Sequence, residues 1–199
     1  MKVLAFNGSP RKNANTETLI NAVLKGAESK GAETRIVNLH SLNMKGCMGC
    51  DACKTQLGKC VQKDDISPLL EEMADCDAVV LGSPVYWFHV SAQLKTLIDR
   101  FYCFFAWEPD PDTGEIKEIR GFPEGKKFVV VTSRGDEEDT QVLPEVYEHL
   151  QYWLNIVTGA MNASSTEFIN HYGSYNLKDA AANDDDLMAR ATAAGEALA

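Results

Sequence analysis

No apolar run in this 199-residue chain approaches the ~18 residues that a membrane-spanning helix needs, so no helical span is expected. Internal repeats and low-complexity segments are also lacking. The length reads as one domain over residues 1–199 with a sizeable core, a four-cysteine insert at 45–63 and a C-terminal helical extension from about 183. Basic residues are scarce. Nineteen Lys and Arg against 29 Asp and Glu give a formal net charge of −10, which argues against a general nucleic-acid or acidic-membrane surface. Histidine is sparse too. His40, His149 and His171 stand isolated and are assigned no role, and His89 reads as a helix-start or packing residue. No GKS or GKT follows a glycine-rich loop, and there is no GxGxxG, which points away from ATP and from a dinucleotide held in the Rossmann manner. No signal peptide precedes the first strand pattern, so a cytoplasmic location is the default expectation.

What is present is organised around residues 1–18, MKVLAFNGSPRKNANTET. Lys2 to Phe6 form a short run of strand formers, and Asn7-Gly8-Ser9-Pro10 breaks it. A polar, cationic loop follows, and from Thr18 the spacing of Leu19, Ile20, Val23 and Leu24 is helical. A loop between a buried strand and a helix start offers free backbone N–H groups and a favourable dipole to an anion. Ser9, Asn13, Asn15, Thr16 and Thr18 add short donors, and Arg11 adds a planar charged fork suited to phosphate. An ordinary capped turn with a surface Arg is the plainer alternative.

Further along, Ala78-Val79-Val80-Leu81 and KFVVVT at 127–132 are continuous apolar runs, the mark of strands buried on both faces. ETRIVN at 33–38 alternates and suits a sheet edge, and a weaker last strand is expected over 161–169. Helices are expected over 18–30, from Asp64 or Asp65 through Met73, over 90–101, over 142–157 and over 184–198. Residues 104–124 are dense in Pro and Gly and read as a long excursion with a short hairpin around Asp112-Thr113-Gly114. Strands alternating with helices give a three-layer α/β/α fold. Its expected core is a flavodoxin-like, doubly wound, five-stranded parallel sheet in the order 2-1-3-4-5. The loops at 8–15, 83–88 and 133–136 would then meet at one rim. The second of these, Ser83-Pro84-Val85-Tyr86-Trp87-Phe88-His89, carries three consecutive aromatics that suit a planar ring with a polar edge, or else cap the core or a subunit interface. A phosphate at one end of the rim and a planar ring at the other describe flavin mononucleotide, FMN.

Cys47, Cys50, Cys53 and Cys60 have the spacing C-x2-C-x2-C-x6-C. Four thiols within fourteen residues, in a chain read as cytoplasmic, favour a metal or cluster over disulfides. The first three match the compact run that ligates iron–sulfur clusters; zinc and metal-free packing are the alternatives. Gly46, Gly49 and Gly58 allow tight winding, while Cys76 and Cys103 read as buried packing residues.

Together these residues resemble the NADPH-dependent FMN reductase and iron–sulfur flavoprotein family. The resemblance rests on GSPRKNANT at 8–16, on the cysteine segment with Lys63, Asp64 and Asp65 after it, and on GSPVYWFHVSAQLKTLIDR at 82–100. It implies that Ser9, Arg11, Asn15 and Thr16 hold the FMN phosphate. Pro84, Val85, Tyr86, Trp87 and Phe88 would flank the ring, and Ser133, Arg134 and Gly135 would lie near its far side. It further implies that Cys47, Cys50, Cys53 and Cys60 ligate a 4Fe–4S cluster, and that the chains assemble as homodimers or homotetramers. The expected activity is flavin-dependent electron transfer, passing electrons between flavin, cluster and a ferredoxin-like carrier. The alternatives are a cluster-free NAD(P)H-dependent reductase of quinones or other small-molecule acceptors, and a non-enzymatic FMN carrier or redox sensor. No side chain is assigned as a catalytic acid or base.

Overall fold

The computed structural model describes residues 1–138, 144–175 and 177–199. The strands are β1 (Lys2–Asn7), β2 (Glu33–Asn38), β3 (Ala78–Tyr86), β4 (His89–Val90), β5 (Phe105–Pro109), β6 (Ile116–Arg120), β7 (Lys127–Ser133) and β8 (Ser165–His171). The α-helices are α1 (Asn15–Ser29), α2 (Ile66–Asp75), α3 (Ala92–Arg100), α4 (Pro144–Ala160) and α5 (Asp185–Glu196). The Val142 start expected for α4 lies outside the described residues.

The main sheet runs β2-β1-β3-β7-β8 with every neighbour parallel, the flavodoxin-like order expected. Alternation along each central strand feeds two cores. Leu4, Phe6, Val79, Leu81, Phe128 and Val130 face α2, α3 and α4. Val3, Ala5, Val80, Val129 and Val131 face α1 and α5. The C-terminal helix therefore covers one face of the sheet beside α1. The two helices cross backbone against backbone: a Cβ on Gly26 would fall 2.0 Å from the Thr192 carbonyl oxygen, and one on Gly195 would fall 1.8 Å from that of Val23.

The structure differs from the expected bounds where sheet pairing overrides local breakers. A loop was expected over 83–88, yet β3 runs on to Tyr86, with Ser83 opposite Thr132 and Pro84 opposite Ser133. β1 stops at Asn7 opposite Gly82, so its ladder with β3 ends two residues before Pro84, whose missing N–H therefore breaks no bond to β1. Val90 pairs with Val85 in a short antiparallel ladder and so leaves the helix expected to contain it. The 104–124 excursion carries the antiparallel pair β5–β6, closed by a turn in which the Asp110 carboxylate accepts from the N–H groups of Asp112 and Thr113, both at 2.9 Å. It packs beneath the cysteine insert, with Phe104 edge-on to Phe122 at 4.9 Å and the Gly58 N–H donating to the Cys103 carbonyl at 2.9 Å.

Candidate functional site

The rim is assembled at the carboxyl ends of β1, β3 and β7. Helix α1 begins after Ala14, which has no side chain to cap it, so the free N–H groups of its first turn face outward from the strand end. Ser9 is 2% exposed, and its Oγ contacts the Arg11 backbone, accepting from the Arg11 N–H at 3.2 Å. Arg11 is half-buried, and Thr16 is buried one residue into the helix. Asn15 is placed differently from a simple phosphate donor. Its Nδ2 donates to the Leu177 carbonyl at 2.7 Å and its Oδ1 accepts from the Ala181 N–H at 3.0 Å, so the side chain ties down the segment before α5.

Gly8 and Gly82 lock this loop to its neighbour. The Gly8 N–H donates to the Gly82 carbonyl at 2.8 Å, and a Cβ on Gly8 would press on Leu94 and Ser91 at 2.9 Å. Ser91 is the joint between the two loops. Its Oγ donates to the Gly8 carbonyl at 2.7 Å and caps α3 by accepting from the Leu94 N–H, while its own N–H donates to Ser83 Oγ at 2.8 Å. The sequence reading passed over Ser91, which it placed inside the helix expected over 90–101; the helix begins at Ala92 with Ser91 as its cap.

The aromatic loop is a tight hairpin. Tyr86 pairs with His89, leaving Trp87 and Phe88 as the central turn residues at φ +47° and +67°. Two bulky residues in the left-handed region are strained; such turns ordinarily take Asn-Gly. Trp87 is 92% exposed, Tyr86 is exposed, Val85 and Phe88 are half-buried, and Pro84 is buried. Phe88 lies 6.3 Å from the Tyr147 ring, and His89 packs on Trp153 at 4.4 Å. Burial, reinforced by Lys95, holds the His89 pKa below its ordinary value, in keeping with a packing role.

Beside this hairpin, Ser133 and Arg134 are buried and Gly135 is half-buried. The Arg134 guanidinium is stacked between Tyr147 at 3.8 Å and Tyr172 at 4.6 Å, and Nη2 donates to the carbonyls of Glu137 and Glu138 at 2.7 and 3.0 Å. Its Nε is buried without a partner. Val85, Thr132, Arg134, Tyr147 and Tyr172 line a cavity of about 500 Å³ between the end of β3 and α4. His171, left unassigned from sequence, meets Ser133 Oγ through Nδ1 at 2.9 Å because β7 and β8 place the two residues opposite each other.

The cysteine insert is stitched at its base by α3. Arg100, 1% exposed, donates from Nη1 to the Lys45 carbonyl at 2.8 Å and to Asp64 Oδ2 at 2.7 Å. Nη2 reaches Asp64 Oδ1 at 3.2 Å and Ser67 Oγ at 2.9 Å. The Asp64 carboxylate also accepts from the Lys45 N–H, and Asn43 N–H donates to Asp65, so entry and exit of the insert are held together. Burial would raise the Asp64 carboxyl, but the hydrogen bonds from Arg100 and Lys45 outweigh it and hold the pKa below its ordinary value. Above this clamp Cys47, Cys50, Cys53 and Cys60 line one small cavity with Arg100 and Cys103. Gly49 and Gly58, at φ +61° and +86°, supply the tight winding. Burial, followed by the nearby Cys60 and Cys53, pushes the Cys103 thiol up to about 12, consistent with a neutral packing residue. Among the described residues no three His, Cys, Asp or Glu side chains gather to share a single metal ion, as a closed zinc site demands. The donor set, four cysteine thiols lining one small cavity with a buried guanidinium, has the chemistry that ligates an iron–sulfur cluster.

Residues 1–166 match the family described as NADPH-dependent FMN reductase. The chain belongs to this family. Among curated members of similar sequence, an iron–sulfur flavoprotein of Methanocaldococcus jannaschii is 43% identical over 100 residues, 50% of this chain and 51% of the relative. An iron–sulfur flavoprotein of Archaeoglobus fulgidus is 45% identical over 100 residues, 50% of this chain and 48% of the relative. The chain thus spans about half the length of these curated relatives. Among the solved structures that share its fold are the following two. One is an NAD(P)H:quinone oxidoreductase from Methanothermobacter marburgensis, with TM-score 0.78 and 19% identity, covering 100% of this chain and 99% of that one. The other is an FMN-dependent NADH-azoreductase from Bacillus anthracis in complex with FMN, with TM-score 0.69 and 14% identity, covering 100% and 99%.

Proposed function

We propose that this member of the NADPH-dependent FMN reductase family is an FMN-dependent electron-transfer oxidoreductase that also carries a 4Fe–4S cluster. The observation that carries the reading is the joint at Ser91, which ties an uncapped helix start to a strained aromatic hairpin at the switch point of the sheet. When bound, FMN supplies hydride and single-electron chemistry at its ring, and a 4Fe–4S cluster supplies one-electron transfer.

The chain's own residues do the rest. The first-turn N–H groups of α1, Ser9, Thr16 and the Arg11 guanidinium bind the phosphate; Asn15 contributes through its backbone, since its side chain is committed to Leu177 and Ala181. Pro84, Val85, Tyr86, Trp87 and Phe88 supply apolar faces to the ring. Ser133, Arg134 and Gly135 border its far side, where the stacked guanidinium brings positive charge. Cys47, Cys50, Cys53 and Cys60 hold the cluster as thiolates. NAD(P)H is the proposed donor, and a ferredoxin-like carrier the proposed partner. The cavity of about 500 Å³ beside Val85 and Tyr147 supports a second reading, a reductase of planar small-molecule acceptors such as quinones. Exposed Tyr152 and Ile156 support a homo-oligomer, and a monomeric mass by sedimentation velocity would refute that part.

Comparing FMN and riboflavin binding tests the phosphate site. Arg11→Ala is expected to weaken FMN binding about tenfold, the order of one charge-assisted hydrogen bond, and to leave riboflavin binding unchanged. Equal losses for both would show that Arg11 does not meet the phosphate. Rapid reduction by NADPH favours an enzyme; reduction only by a protein donor favours a carrier.

A further inference from the structure

We infer that Arg100 is a positioning residue for the proposed cluster, its Nε–H donating to the Cys60 sulfur and its charge offsetting that of the thiolate-bound iron. The inference rests on the cluster reading above and comes from counting donors. A guanidinium has five N–H groups. Four of them are used: Nη1 on the Lys45 carbonyl and Asp64 Oδ2, Nη2 on Asp64 Oδ1 and Ser67 Oγ. The fifth, at Nε, is buried with no partner. Arg100 lines the same small cavity as all four cysteines, and Cys60 lies against the guanidinium.

A clamp that served only to join the two ends of the insert would leave no donor unsatisfied. Burying such a donor without a partner is unfavourable, so an acceptor is expected at that spot when the site is filled. Sulfur bound to iron carries negative charge and accepts hydrogen bonds, and such bonds together with net charge set a cluster's reduction potential. An Nε–H donor to Cys60, with a buried positive charge behind it, stabilises the reduced, more negative state. The carboxylate of Asp64 fixes the fork so that Nε has one direction to point. Arg100 thus acts through Cys60 and leaves the ligand set at four cysteines.

The test uses the full chain, purified without oxygen and reconstituted with iron(II) and sulfide, with iron and sulfide assays and a potentiometric titration of the cluster. Arg100→Gln is expected to keep its iron but to lower the potential so that the reduction equilibrium falls at least tenfold, about 59 mV for one electron. Arg100→Lys, which keeps the charge and loses the Nε–H, recovers part of that shift. Arg100→Gln with full iron and the wild-type potential would overturn the inference and leave the cluster reading standing. Wild-type protein that takes up no iron would overturn the cluster reading and this inference with it. Should Arg100→Gln fail to fold, wild-type protein grown on isotopically labelled arginine decides the matter by pulsed electron paramagnetic resonance of the reduced cluster. A coupling to an arginine nitrogen is expected, and its absence overturns the assignment.

Discussion

Replacing Trp87 by Gly should stabilise the flavin-free protein and weaken FMN binding at the same time. Trp87 sits at φ +47° in the central pair of a two-residue hairpin and is 92% exposed, so its ring contributes little burial in return for its backbone strain. A left-handed conformation costs an ordinary residue about 1–2 kcal/mol, and Gly removes that cost. Gly in turn costs roughly 0.5–1 kcal/mol in unfolded-state freedom. The difference leaves a gain of about 0.75 kcal/mol, a rise in Tm of about 2 °C for a chain of this length. Against this, one aromatic face is lost from the proposed flavin site, about 1 kcal/mol or roughly fivefold in Kd. Thermal unfolding of the flavin-free protein and quenching of FMN fluorescence read the two effects separately. A variant that is less stable and binds FMN as the wild type does would refute both the strain argument and the role of Trp87.

Three further outcomes are expected. Burial holds the His171 pKa below its ordinary value, opposed in part by Asp184, so the unfolded chain takes up the proton first. Stability from this group is present above about pH 6.5 and lost as pH falls through the folded value. Urea midpoints should drop across that range in the wild type and less in His171→Gln; an equal drop in both would remove His171 from the account. Asp64→Asn leaves Arg100 buried without its counter-charge and should cost about 3 kcal/mol near neutral pH. Because the folded Asp64 pKa is depressed, denaturant curves of the two proteins should converge as pH falls below about 4; a constant gap would contradict the ion-pair origin. Gly195→Ala drives a methyl into the Val23 carbonyl and should destabilise by about 2 kcal/mol in the same assay; wild-type stability would contradict the close crossing of α1 and α5.

The strand–loop–helix at the start of the chain was legible because its signals are local: an apolar run, Asn-Gly-Ser-Pro and then helical spacing. The strand order followed from alternation of elements, and the hairpin in the 104–124 excursion from its turn residues. What could not be read depends on partners distant in sequence. Arg100 looked like the end of an amphipathic helix, and its burial comes from Asp64, 36 residues away. His171 reaches Ser133 only through the register of β7 and β8, 38 residues apart. The hairpin at Trp87 and Phe88 lacks the glycine that announces such a turn, so strain hid it. Asn15 read as a ligand donor because nothing local shows that residues 177 and 181 fold back onto its side chain.

The most direct measurement is an ultraviolet–visible spectrum of protein purified without oxygen, with iron and sulfide assays on the same sample. Flavin bands above a broad brownish shoulder, with about four irons per chain, are the expected result. Clean flavin bands without iron would contradict the cluster and leave the FMN site standing. A colourless protein that also fails to bind added FMN would contradict the central claim.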